Sequence, residues 1–235
     1  MRIFVEGVSG GARGIDNLGE KEFFCSWSGG KDSCLALHHA IQGGGVPKVL
    51  LTVMEEGGEV SRSHGLPRSV LEEQSRLLGI PIIFRSATWN EYEAVFLQAL
   101  GELKAAGIEA GVFGDIDVED HREWVRRVGG SAGVRSLHPL WQRSRRGLLE
   151  EFIDLGFEAI VVVLRNDLLE ESFLGRTIDR ETVAEMERAG IDASGELGEY
   201  HTVVTGGPLF SSTIEPREAA REARGEYSFL RIGNE

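Results

Sequence analysis

Between residues 23 and 128, short apolar runs alternate with segments patterned for helix, four times over. The runs lie at 23–27, 49–54, 81–84 and 110–113, and the helical segments at 33–42, 67–78, 92–103 and 119–128. Two parallel strands need a long crossover between them, and a helix is the usual one, so this alternation dictates a parallel sheet with helices on both faces. In such sheets ligands gather at the carboxyl ends of the strands. Local signals mark the helix limits. Gly43-Gly44-Gly45 ends the first helix, Pro67 stands at the start of the second and Gly79 after it. Tyr92, Val95, Phe96, Ala99, Leu100 and Leu103 form the apolar stripe of the third behind a predicted Asn90 cap with Glu93 three residues on, and Asp117 is the predicted cap of the fourth.

The first strand-to-helix junction carries the densest chemistry. Residues 25–34 read Cys-Ser-Trp-Ser-Gly-Gly-Lys-Asp-Ser-Cys. Adjacent glycines let backbone N–H groups converge on an anion, the helix start adds partial positive charge, and Lys31 adds a full one. Residues 28–33 therefore read as a phosphate loop. A Walker A loop needs Ser or Thr directly after Gly-Lys, where this chain has Asp32. A dinucleotide fingerprint needs Gly-x-Gly-x-x-Gly, which adjacent glycines do not give. A nucleophile elbow at Ser28 would leave Lys31 and Asp32 without a role.

Beyond residue 130 the pattern changes. A strand or turn is expected at 137–141, a helix at 145–155, a valine-rich strand at 159–164, and a helix behind Asp179 that Gly190 stops. A strand at 202–205 and a closing pair near 210–214 and 227–232 complete the chain. The expected organisation is an extension at 1–21 with a short strand at 3–5, a nucleotide-binding domain at 22–132, and a smaller α+β domain at 133–235. With 25 Lys+Arg against 38 Asp+Glu, the net charge of −13 argues against a nucleic-acid partner held by phosphate neutralisation. The two cysteines, Cys25 and Cys34, flank the glycine loop rather than forming a disulfide framework. No apolar run is long enough to span a bilayer and no secretory leader is visible, so a cytoplasmic protein is expected.

A second dense stretch, residues 195–210, reads Gly-Glu-Leu-Gly-Glu-Tyr-His-Thr-Val-Val-Thr-Gly-Gly-Pro-Leu-Phe. Titratable groups concentrated on a glycine-punctuated loop point to function. His121-Arg122-Glu123 lacks the Cys-x-x-Cys of a zinc deaminase, His38-His39 reads as a surface or packing pair on the first helix rather than a metal site, and Arg143, Arg145 and Arg146 form a basic run that reads as a solvated helix start or a contact for an acidic partner or RNA.

The hexapeptide Ser-Gly-Gly-Lys-Asp-Ser resembles the PP-loop of the N-type ATP pyrophosphatases. With 195–210, Gly114-Asp115-Ile116, His121-Arg122, Pro139-Leu140-Trp141 and Leu174-Gly175-Arg176, the chain resembles the diphthine–ammonia ligase family of that superfamily. The resemblance implies a Rossmann-like nucleotide α-hydrolase domain and a smaller C-terminal domain that closes over the nucleotide. It implies ATP and Mg²⁺ as cofactors, ammonia as co-substrate, and a carboxylate on a translation elongation factor as acceptor; it leaves room for a homodimer. By resemblance, Ser28, Gly29, Gly30, Lys31, Asp32, Ser33, Gly114 and Asp115 bind nucleotide, with Asp32 on the metal. Lys31, Asp32, Glu196, Glu199 and His201 are the implied catalytic groups, His201 as a base near neutral pH. His64, Arg122, Tyr200 and Thr202 are implied to bind substrate. Two alternatives remain at this point: a nucleotide sensor without ligase activity, and the same adenylation chemistry on another acceptor, such as a tRNA base.

Overall fold

Strand β1 (Glu22–Ser26) is central because both of its edges are used: β2 (Val46–Met54) pairs with it on one side and β4 (Ala110–Val112) on the other, both in parallel. With β3 (Ile82–Ser86) beyond β2 and β5 (Arg135–Leu137) beyond β4, the parallel sheet runs β3-β2-β1-β4-β5. The computed structural model that shows this describes residues 18–62 and 64–233. The strand expected at 3–5 lies outside the described residues. The parallel sheet continues past residue 133, since β5 pairs with β4 through Ala110–Arg135 and Val112–Leu137.

Phe23, Cys25 and Leu50 of this sheet belong to one apolar cluster and Phe24, Val49 and Leu51 to another, so the sheet is buried on both faces. Helices α1 (Lys31–Gln42) and α2 (Arg68–Leu78) pack on the Cys25 side, and α3 (Tyr92–Ala105) and α4 (Glu119–Ser131) on the Phe24 side. After β5 the chain builds α5 (Arg145–Asp154), β6 (Glu158–Arg165), α6 (Arg180–Arg188), and then β7 (Tyr200–Gly206), β8 (Arg217–Arg224) and β9 (Tyr227–Gly233). These four strands form a separate antiparallel sheet in the order β7-β6-β9-β8. The expected α/β architecture, a helix-flanked parallel sheet with a smaller α+β unit, is the one observed. Leu35 and Leu37 of α1 share a cluster with Phe152, Val161 and Val203, so one core is continuous between the two sheets.

Asp179 caps α6 as expected, accepting the Thr182 N–H at 2.8 Å. Two other caps differ. Glu91, not Asn90, precedes α3, and its carboxylate folds back onto the Thr88 N–H and hydroxyl, while Glu93 reaches across to Trp124 and Arg127 on α4. Asp117 does not cap α4; Arg145 takes both of its oxygens at 2.7 Å. A bidentate guanidinium is the stronger partner for that carboxylate. Residues 210–214 form no strand. Ile214 is tied to Thr205 by one backbone bond, and the hairpin partner of β9 is β8 instead, turning at Gly225 with φ +60°.

Candidate functional site

The chain leaves β1 towards β2 and β3 on one side and later returns to β4 and β5 on the other, so the sheet reverses direction between β1 and β4. A crevice must open outside the carboxyl ends of these two strands. It is a cavity of about 880 Å³, within the range of small-molecule sites. Ser28, Lys31, Asp32 and Ser33 line it from the β1 loop, and Gly114 and Asp115 from the β4 loop. From the second sheet come Glu196, Tyr200, His201 and Thr202.

The two loops touch at one point that demands glycine. A Cβ on Gly114 would lie 2.9 Å from the Asp32 carbonyl carbon and 2.9 Å from the Ser33 nitrogen, both backbone atoms, so only hydrogen fits there. Gly29 has φ +81°, a conformation glycine adopts without strain, and this turns its carbonyl away from the cavity onto two donors. These are the Val204 N–H at 2.9 Å and the Gln74 amide Nε2 at 3.0 Å. Gln74 is fully buried. Its Nε2 also donates to the Val204 carbonyl at 2.8 Å, and its Oε1 accepts the Trp27 indole N–H at 2.9 Å. A second staple is the Lys31 N–H, which donates to Thr202 Oγ1 at 3.1 Å. The Ser28 and Ser33 hydroxyls lie 3.1 Å apart, with Ser28 Oγ accepting the Gly30 N–H and Ser33 donating to the Gly30 carbonyl. Gly30 itself borders the His64 ring and the Thr202 carbonyl.

Charge is concentrated where α1 begins. The Lys31 ammonium, nearly buried, contacts both oxygens of Asp32 at 2.9 and 2.7 Å and lies 5.7 Å from the Tyr200 ring centroid. Burial opposes its charge, but Asp32, Tyr200 and Glu196 together outweigh burial and raise its pKa above the ordinary lysine range. Glu196 is pushed up to about 7, chiefly by burial and then by the Asp32 charge, with Lys31 pulling the other way. His201 moves in the opposite direction. Burial first, then the neighbouring His64 and Lys31, hold its pKa well below the usual value. The two imidazoles lie tilted against each other with centroids 4.6 Å apart, and His64 Nδ1 meets the Thr202 carbonyl at 2.8 Å, which fixes its proton there. At neutral pH His201 is therefore neutral and a weak base, contrary to the sequence expectation. Glu196, by contrast, is held up towards neutrality.

Not every expected residue arrives. Glu199 is buried beneath the loop, where its carboxylate accepts the Leu197 N–H at 2.9 Å, and it does not line the cavity. That bond ties its carboxylate to the loop that carries Glu196. Arg122 also lies off the cavity wall, stacked over Trp141 at 4.3 Å and near Glu119. Asp115 is present and is held by His138 Nδ1 at 3.1 Å, whose ring stacks on Phe113. Unforeseen wall residues are Arg62, Trp89, Tyr92 and Trp124. Tyr92, expected in the core, faces the cavity beside Trp124, and the Arg62 guanidinium lies 4.6 Å from the exposed Trp89 ring. Aromatic residues recurring at helical spacing signal a buried stripe, and nothing in the sequence distinguishes a stripe that borders a cavity. Among the described residues no cluster of three or more His, Cys, Asp or Glu side chains is arranged for a metal ion. Asp32 is the wall carboxylate that stands at the start of α1 beside the phosphate loop, which suits a cation shared with bound phosphates.

Comparison with known proteins gives the following. Residues 22–136 match the family described as diphthamide synthase N-terminal domain, and residues 144–235 match the diphthamide synthase C-terminal domain. A diphthine–ammonia ligase from Schizosaccharomyces pombe is 25% identical over 234 residues, covering 87% of this chain and 38% of the relative's own length. The chain thus spans well under half of that protein. A diphthine–ammonia ligase from Bos taurus is 24% identical over 212 residues, covering 80% of this chain and 79% of the relative. A solved structure described as a predicted subunit of tRNA methyltransferase, from Methanocaldococcus jannaschii, aligns with TM-score 0.45 and 17% identity over 80% of this chain and 98% of that one.

Proposed function

The chain belongs to the diphthamide synthase family, and from that premise we propose that it is an ATP-dependent, AMP-forming ligase that converts a diphthine carboxylate to its amide with ammonia. The observation that supports this most is the convergence of Lys31 and Asp32 with Glu196 and His201 on one cavity, from two loops that are hydrogen-bonded to each other. A nucleotide sensor needs the first loop but has no use for a carboxylate poised near pH 7 beside it. The domains acting here are proposed as a nucleotide-binding unit from residue 22 and a substrate-binding unit after β5, in a cytoplasmic protein. No helix among the described residues is long and apolar enough to cross a membrane.

In the proposed reaction the phosphates of ATP lie at the start of α1. Ser28, Ser33 and backbone N–H groups hold them, and the permanently charged Lys31 offsets the charge that develops as pyrophosphate leaves. Asp32 would hold Mg²⁺ against the phosphates, where the ion supplies further charge neutralisation. The diphthine carboxylate attacks the α-phosphorus; its oxygen–phosphorus bond forms as the bond from the α-phosphorus to the bridging oxygen breaks. Ammonia then attacks the carbonyl carbon of the acyl-adenylate, the carbon–oxygen bond to AMP breaks, and the nitrogen loses a proton. Glu196, titrating near 7, is the group placed to accept that proton. Tyr200 is unsuited, because burial raises its phenol pKa and its hydroxyl donates to the Ala193 carbonyl at 2.5 Å.

The test is exchange of labelled pyrophosphate into ATP, dependent on an elongation factor that carries diphthine. Exchange that requires the diphthine protein, with AMP as product once ammonium is added, is expected. Formation of ADP, or exchange equally fast without the acceptor, would remove the proposal.

A further inference from the structure

A second chamber of about 10 Å³ shares Lys31 and Asp32 with the large cavity, so these two side chains stand between them. The rest of its wall is mostly apolar, from Leu35 of α1, Ile116, and Leu148, Leu149 and Phe152 of α5, with Arg145 at the start of α5. Space of this size holds one molecule as small as water, since about 10–15 Å³ is needed for one. Ser194 also lines the chamber, only 2% exposed, and its Oγ has no hydrogen-bond partner. Buried polar atoms are nearly always paired, so an orphaned hydroxyl in a one-molecule chamber is a ligand's partner.

The other polar groups at this chamber are committed elsewhere. Arg145 is paired with Asp117 and Asp192, and the Lys31 ammonium with Asp32. Of the side-chain atoms lining the chamber, Ser194 Oγ is the one without a partner, so the two to four partners a water molecule wants would have to be shared with the existing ion pairs of Lys31, Asp32 and Arg145. An ammonium ion would have to shed its hydration and share the Asp32 carboxylate with Lys31, with the Arg145 cation also on the wall, which is costly. Neutral ammonia has the size of water, is less strongly hydrated, and accepts the Ser194 hydroxyl proton through its one lone pair. We propose that this chamber is the ammonia site of the ligase, from which ammonia reaches the adenylate past Lys31 and Asp32. The proposal rests on the ligase reading above.

Two assays on the full chain separate the two ideas. Pyrophosphate exchange with the diphthine-bearing elongation factor reports adenylation and uses no ammonia. AMP formation against ammonium chloride concentration, at fixed pH, reports the ammonia step. In Ser194→Ala, loss of one buried hydrogen bond raises the KM for ammonium about tenfold, with kcat recovered at saturating ammonium and pyrophosphate exchange still proceeding. Ser194→Cys, which keeps a weak donor, falls between the two. Leu149→Phe, which fills the chamber, raises that KM further. An unchanged ammonium KM in Ser194→Ala, with exchange intact, means that the chamber holds a structural water only and overturns the ammonia site while leaving the ligase reading standing. Absence of exchange in the unsubstituted protein overturns both. Loss of exchange in Leu149→Phe alone marks misfolding of that variant, and Ser194→Ala, which removes a single atom, then decides.

Discussion

Replacing Gln74 by leucine tests whether the phosphate loop is held from behind. The substitution deletes three hydrogen bonds, to the Gly29 carbonyl, the Val204 carbonyl and the Trp27 indole. Gly29 keeps the Val204 N–H, so its loss is partial, but the Trp27 N–H is left buried without its acceptor. An orphaned buried donor costs about 1–3 kcal/mol and each further lost bond about 0.5–1.5 kcal/mol. Leucine regains part of this by burying more apolar surface, leaving a net destabilisation of about 2–5 kcal/mol. At a urea slope of about 2–3 kcal/mol per molar, the unfolding midpoint falls by about 1–2 M. Because Gly29 then loses a restraint on its left-handed backbone, the KM for ATP in the exchange assay rises about tenfold or more. Gln74→Glu keeps the shape but loses both donors and sets a carboxylate against two carbonyls; it is expected to be at least as damaging. A Gln74→Leu midpoint within about 0.3 M of the parent, with an unchanged KM for ATP, would refute the reasoning.

Amide formation should increase as pH rises through about 7 as Glu196 loses its proton, and Glu196→Gln should flatten that limb of the kcat profile. The raised pKa also means that ionising Glu196 opposes folding: its contribution to stability is present below the usual carboxylate pKa and declines as pH rises towards 7. Glu196→Gln is thus expected to gain stability relative to the parent above pH 7 in parallel thermal melts, and an equal difference at pH 5 and pH 8 would contradict the assignment. Gly114→Ala forces a methyl within 2.9 Å of the α1 backbone, so nucleotide affinity measured by calorimetry should fall; an unaltered affinity would show that the loops can separate without cost. Asp179→Ala removes the α6 cap and should cost about 1 kcal/mol, read from urea unfolding, with pyrophosphate exchange unaffected.

Four strands of the parallel sheet were legible because each carries an apolar run and each is followed by a segment patterned for helix, whereas β5, Arg-Ser-Leu, carries no such run and was not read into the sheet. The phosphate loop was legible because an anion cradle needs glycine and lysine at fixed spacing. Strand β8 was not, since Arg-Glu-Ala-Ala-Arg-Glu-Ala-Arg lacks any apolar alternation; pairing with β9 along one edge, rather than burial, makes it a strand. Gln74 sits in Glu-Glu-Gln-Ser, indistinguishable in sequence from a solvated helix face, although the structure buries it completely. Glu199 and Arg122 were legible as motif members but not in role. Whether a carboxylate faces a cavity or a backbone N–H depends on one turn of loop geometry that spacing does not encode.

The bond from the Lys31 N–H to Thr202 Oγ1 joins residues 171 positions apart. On a ribosome adding about 5–20 residues per second, the loop would emerge on the order of ten to thirty seconds before the strand that completes it. Through that interval the Gly29 carbonyl lacks its Val204 donor. Under the ligase reading, the ATP site would be complete only when the second sheet has closed, and a nucleotide that needs both parts would stabilise the two sheets together. Cellular ATP would then act on this protein first as a folding ligand and only afterwards as a substrate.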